Sequence, residues 1–170
     1  MIQFLKDLLL VIVFLVVLLM LGTLLINIFL TKAPYVPSSK KILDRLLEEL
    51  KLKPAQVVYD LGCGDGRFLI RAEKKFGIKA IGYELAPLPF VLAKILQFIN
   101  RSKTQIIYGN FFQANLGDAD LIFCYLFPEI VSQVYQKAKL ECRPGTILVS
   151  NTFSAKDIQP SKIIYDQNQK

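Results

Sequence analysis

A chain of 170 residues has room for one domain of ordinary size. Its 53% hydrophobic content is too high for a typical soluble domain, and its net charge of +7 points to an anionic partner surface or a nucleic acid. The absence of histidine excludes His-activated nucleophiles and His metal ligands. Three cysteines, Cys63, Cys124 and Cys142, show no C-x-x-C pairing, which argues against a zinc site or a disulfide framework and fits a reducing compartment.

The apolar excess sits at the amino end. Leu8 to Leu30 carries no charged residue, and as a helix it would reach about 34 Å, enough to cross a ~30 Å hydrocarbon core with some tilt. A cleaved secretory signal would have a shorter apolar run ending in small residues, and Ile28-Phe29-Leu30-Thr31-Lys32 offers no such site. A retained single-pass anchor over residues 1–31 is expected. Lys6 and Asp7 nearly cancel before the span, whereas Lys32, Lys40, Lys41 and Arg45 follow it. This bias predicts an external N-terminus and a cytoplasmic domain, with the lysines attracted to acidic lipid.

Residues 32–53 read as a linker and a cover helix. Pro34 and Pro37 stiffen the connector, Ser38 or Ser39 can cap the next helix, and Ile42, Leu43, Leu46, Leu47 and Leu50 form one apolar face. Residues 54–170 read as the principal domain. Val57-Val58-Tyr59-Asp60-Leu61 has the composition of a buried parallel strand, and Gly62, Gly64 and Gly66 alternate before a helical pattern opens at Phe68. A strand, a glycine turn and a helix suit a nucleotide-like cofactor approaching the main chain. The dinucleotide pattern G-x-G-x-x-G fails because Arg67 stands where its third glycine would be, and no Gly-Lys-Ser/Thr of a P-loop follows.

Lys79 to Glu84 reads as the next strand, ending in a carboxylate suited to a ribose diol. Phe90 to Ile99 is a helix apolar on nearly every side, with one face left for the bilayer, a protein substrate or neighbouring helices. Gln105–Asn110, Asp120–Tyr125 and Thr146–Ser150 complete five strands that alternate with helical patterns, hence an α/β Rossmann-like, mainly parallel sheet with helices on both faces. Ser161–Tyr165 has the composition of a sixth strand, and no residues remain for a seventh.

Asp60-x-Gly62-x-Gly64-x-Gly66 resembles the first motif of class I S-adenosylmethionine-dependent methyltransferases. With the amino-terminal span, Tyr35-Val36-Pro37-Ser38, Gly82-Tyr83-Glu84, Asp118-Ala119-Asp120 and Tyr125-Leu126-Phe127-Pro128-Glu129, the chain is similar to the membrane-anchored lysine N-methyltransferases of ATP synthase c-subunit and adenine nucleotide translocase. The resemblance implies that Gly62, Gly64 and Gly66, with Asp60 and Cys63 in the same turn, line the methionine part of S-adenosylmethionine. It puts Glu84 on the ribose and Asn110 near the adenine. Tyr35, Val36, Pro37 and Ser38 would form a lid, Phe127 and Pro128 the substrate mouth with Phe111 and Phe112 nearby, and Tyr125 or Glu129 would receive a proton from a lysine amine or hydrogen-bond that amine. The implied fold lacks its usual C-terminal antiparallel hairpin. The implied activity is methylation of lysine on a membrane protein, with the bilayer as a partner and no metal. A nucleic-acid methyltransferase, disfavoured because no Asn/Asp-Pro-Pro-aromatic motif follows the fourth strand, and an inactive cofactor-binding scaffold are the alternatives.

Overall fold

The computed structural model describes residues 2–31, 38–156 and 158–165. Helix α1 (Ile2–Thr31) starts six residues before the uncharged run and includes Lys6 and Asp7; Gln3 Nε2 donates to Asp7 Oδ1 at 3.0 Å one turn on, which keeps the polar start helical. Its segment Ile2–Leu19 is long and apolar enough to cross a membrane and is exposed throughout.

Helix α2 (Lys40–Leu50) is capped by Ser39, whose Oγ accepts from the Ile42 N–H at 3.3 Å, and it buries Leu43, Leu46 and Leu47. Strand β1 (Val57–Leu61) leads through the glycine turn to α3 (Arg67–Phe76), which stops at Gly77 in the left-handed region. Then come β2 (Lys79–Glu84), α4 (Pro87–Ile99), β3 (Gln105–Tyr108), a short 3₁₀ turn (Phe111–Gln113), β4 (Leu121–Cys124), α5 (Pro128–Glu141) and β5 (Ile147–Ser150).

All pairings are parallel, and the strands lie in the order β3-β2-β1-β4-β5. Side chains alternate across the central strands. Val58, Leu121 and Phe123 point to the face covered by α2, α3 and α4, where Phe68 stacks on Phe123 at 4.1 Å between ring centroids. Tyr59, Leu61, Ile122 and Cys124 point to the face covered by α5 through Val131 and Val134. Because β2 and β4 flank β1 on opposite sides, the chain reverses direction across the sheet beside the carboxyl end of β1, where such folds open a crevice.

Residues 158–165 add no strand: Ile164 packs beside the α2 side of the core and Lys162 pairs with Glu49 at 2.7 Å. The segment folds back over the cover helix, where Ile164 packs on the core while Ile163 and Tyr165 stay exposed. The described sheet therefore has five strands, without the antiparallel hairpin.

Gly82, opposite Asp60 in the β1–β2 register, fixes how tightly the glycine turn sits on the sheet. A Cβ there would lie 2.7 Å from Leu69 Cδ1 and 2.8 Å from Cys63 Sγ. Gly82→Ala is expected to lower unfolding stability by about 1–3 kcal/mol through overpacking, read from urea melts; an unchanged midpoint would show that Leu69 and Cys63 yield without strain.

Candidate active site

The turn after β1 is possible only because three of its positions are glycine. Gly62, Gly64 and Gly66 take φ of 82°, 57° and 73°, a region that costs side-chain-bearing residues roughly 1–2 kcal/mol each. The turn is tied down from within. Gly62 and Cys63 both donate N–H to Tyr83 O at 2.9 Å, and Gly66 donates to Cys63 O at 2.8 Å.

Glu84, 7% exposed at the carboxyl end of β2, clamps the turn from the side. Its Oε2 accepts the Gly64 N–H and its Oε1 the Ala86 N–H, both at 2.8 Å. Each oxygen keeps a second lone pair, so the carboxylate can still accept from a diol. Burial raises its pKa, opposed by those N–H donors.

Two more carboxylates share this space. Asp60 and Asp65 are each 3% exposed. Asp65 is held by Arg67, whose Nη2 lies 2.6 Å from Oδ2. Asp60 is held well above the usual carboxylate range by burial first, then by the negative charges of Glu84 and Asp65. The turn's donors are thus largely engaged internally, and the polar side chains buried around it are acids, of which Asp65 is balanced by Arg67. The assembled site is suited to a ligand carrying positive charge, in keeping with the S-adenosylmethionine that the sequence motif implies.

Cys63 contributes backbone only, since its side chain faces Gly82 and the core, where burial raises the thiol pKa. Asn110 is exposed, and its Oδ1 accepts the Phe112 N–H at 3.0 Å, capping the turn that brings the Phe111 and Phe112 rings together in a tilted pair with centroids 4.5 Å apart. Tyr35, Val36 and Pro37 lie outside the described residues. Ser38 reaches the site: its carbonyl accepts from Arg67 Nη1 and its Oγ from Asn151 Nδ2, both at 3.1 Å.

The loop between β4 and α5 closes the crevice from the other side. Leu126 Cδ2 would lie 3.2 Å from a Cβ on Gly62, so loop and turn are in contact. Tyr125 and Phe127 meet Phe153 from the segment after β5, with ring centroids 6.4 and 6.0 Å apart, and Pro128 opens α5. Glu129 is exposed and paired with Lys156 at 2.9 Å; the hydrogen bond from that lysine lowers its pKa. Asp118 and Asp120 are not brought here. They hold the amino ends of the strands, Asp118 accepting from the Tyr59 hydroxyl at 2.8 Å and Asp120 from the Val57 N–H at 2.7 Å.

Arg67, Asn151 and Phe153 are site-forming residues that sequence reasoning missed. Arg67 was visible as the residue breaking a dinucleotide motif, but Asn151 and Phe153 follow the last strand with no motif around them.

A model of the ANTKMT methyltransferase domain matches residues 60–162. A protein-lysine N-methyltransferase of Saccharolobus islandicus is 34% identical over 139 residues, 80% of this chain and 86% of the relative. The adenine nucleotide translocase lysine N-methyltransferase of Mus musculus is 27% identical over 135 residues, 78% of this chain and 58% of the relative, so the chain spans little more than half of that protein. Among solved structures, an RNA methyltransferase from Salinibacter ruber bound to S-adenosyl-L-homocysteine superposes with a TM-score of 0.74 at 28% identity, over 78% of this chain and 88% of that one. The acidic, glycine-built crevice fits the ammonium and sulfonium of S-adenosylmethionine, and with these matches the chain belongs to the ANTKMT methyltransferase domain family as an S-adenosylmethionine-dependent methyltransferase.

Proposed function

We infer that the chain is a protein-lysine N-methyltransferase tethered to a membrane by residues 1–31, with 32–53 as linker and cover helix, 54–170 as the catalytic domain on the cytoplasmic side, and a membrane protein as substrate. The observation that carries the site assignment is the cluster of three buried carboxylates around the glycine turn, with Arg67 paired to Asp65. The lysine acceptor draws on the names of the relatives, and the tether on the apolar α1 and its flanking charge.

In this reading Asp60 faces the cationic end of the cofactor, Glu84 holds the ribose diol, Asn110 stands beside the adenine, and Ser38 anchors a lid continued by Tyr35, Val36 and Pro37. The cofactor supplies an already activated methyl group, so the protein has to align donor and acceptor and exclude water. A lysine amine has an ordinary pKa of about 10.4 and must be neutral to attack. Tyr125, Phe127 and Phe153 give the mouth an aromatic wall that attracts the ammonium and then, by desolvation, favours its neutral form. The Tyr125 hydroxyl can accept a hydrogen bond from the acceptor amine while the proton passes to water, whereas Glu129, the carboxylate form that could take the proton, is already paired with Lys156 at 2.9 Å on the surface.

Phe127→Ala is expected to reduce kcat by on the order of tenfold with little change in cofactor affinity, since the mouth acts on the acceptor; an unchanged kcat would remove Phe127 from the mouth. The proposal as a whole is tested with methyl-labelled cofactor and isolated membranes: label should enter material destroyed by protease and resistant to ribonuclease. The likeness to an RNA methyltransferase and the net charge of +7 favour RNA as the second reading, and ribonuclease-sensitive label would establish it instead.

A further inference from the structure

Helix α4 is built inside out for a surface helix. Its small or constrained residues face the core, with Pro89 and Ala93 buried, while Leu88, Val91, Leu92, Ile95, Phe98 and Ile99 point outward. These six recur at the spacing of one helical stripe, and Phe98 is 85% and Ile99 67% exposed. A helix covering a sheet normally presents the opposite pattern, and an outward apolar stripe of this length marks a surface that meets something apolar.

Two observations identify what covers it. Helix α1, itself apolar and exposed from Ile2 to Leu19, approaches α4, so the span and the stripe belong to neighbouring elements of the fold. The stripe is also bordered by exposed cations, Lys94 within the helix and Arg101 and Lys103 just beyond it. An apolar face rimmed by lysine and arginine, lying along its length of about 20 Å, has the form of an interfacial helix on an anionic bilayer. The long basic side chains can reach headgroups while their stems lie on the acyl boundary.

We propose that α4 is a second membrane contact, seated in the lipid interface by Leu88, Val91, Leu92, Ile95, Phe98 and Ile99. This rests on the reading of α1 as a membrane span. Because α4 begins immediately after the Glu84–Ala86 clamp, its seating holds the cofactor turn at the bilayer surface instead of leaving the domain to swing on the linker. The methyl group is then delivered at headgroup depth.

The chain contains no tryptophan, so single tryptophans report cleanly. Full-length Phe98→Trp, Ile95→Trp, Leu9→Trp and Leu140→Trp would each be placed in anionic vesicles carrying acyl-chain-brominated lipid. Leu9 reports the span, and Leu140, 85% exposed on the opposite face of the sheet, reports water. Phe98→Trp and Ile95→Trp are expected to be blue-shifted and quenched by the bromolipid to an extent approaching Leu9→Trp, with Leu140→Trp quenched only by aqueous iodide. Iodide quenching at both α4 positions, with Leu9→Trp still quenched by lipid, would overturn the seating while leaving the tether intact. Protection of the α4 probes from both quenchers would also overturn it, assigning the face to protein, either a second copy or a substrate. An unquenched Leu9→Trp would remove the tether and this inference with it.

Discussion

Glu84→Ala is expected to weaken cofactor binding by about ten- to a hundredfold and to reduce methyl transfer at least as much. The substitution removes the acceptor of the Gly64 and Ala86 N–H groups, leaving two buried donors unpaired at about 1–3 kcal/mol each. Relief of a desolvated carboxylate offsets part of that, so a net stability loss of roughly 1–3 kcal/mol is expected in urea. Affinity falls further because a hydrogen bond to a charged group contributes about 1.5–3 kcal/mol, here the proposed ribose contact. Glu84→Gln should rescue poorly: one end of the amide is itself a donor, facing an N–H that needs an acceptor. Calorimetry with S-adenosylmethionine reads the effect, and an Ala variant with wild-type affinity would take Glu84 out of the site.

The second large effect concerns pH. The pKa of Asp60 is raised in the fold, so the folded state binds its proton more tightly than the unfolded chain. Stability therefore falls as pH rises from the ordinary carboxylate value of about 4 towards the raised one, and levels off above it. A cationic ligand favours the ionised form, so cofactor affinity should rise with pH over the same window and binding should release protons. Asp60→Asn is expected to flatten the stability curve, leaving the smaller slope of Glu84, and to make the folded protein more stable than wild type above the window while weakening the cofactor by about tenfold or more. Thermal melts and binding isotherms between pH 5 and 8 check both halves. Parallel pH profiles for the two proteins would show that Asp60 carries no ligand-linked charge.

The sheet was legible in the sequence because each strand is a short, largely apolar run and most joints carry a glycine or proline, the α4–β3 joint excepted. Val57–Leu61, the turn to Gly66 and the carboxylate closing β2 were all recognisable from local order. What sequence could not give was the electrostatic character of the crevice. Asp60, Asp65 and Glu84, spread over 24 positions, converge only when β1 and β2 pair, and their shared burial gives the cofactor turn an acidic surrounding that no local pattern announced. Asn151 and Phe153 were equally hidden, since they reach Ser38, Tyr125 and Phe127 through the β4–β5 pairing and not through neighbours in the chain. The proposed sixth strand failed for a related reason: apolar composition alone did not distinguish pairing with β5 from packing beside α2. The apolar character of Phe90–Ile99 was evident, but which residues face outward required the helix in place.

The proposed function joins three expectations: the acidic turn would position a cationic methyl donor, the aromatic mouth would receive an amine, and the apolar N-terminal helix would keep the mouth near lipid. Tandem mass spectrometry of membranes incubated with the full-length protein and methyl-labelled S-adenosylmethionine tests it most directly. The label should map to the Nε of lysine in an integral membrane protein and be lost with Glu84→Ala. Label confined to RNA bases, lipid headgroups or other side chains would contradict it.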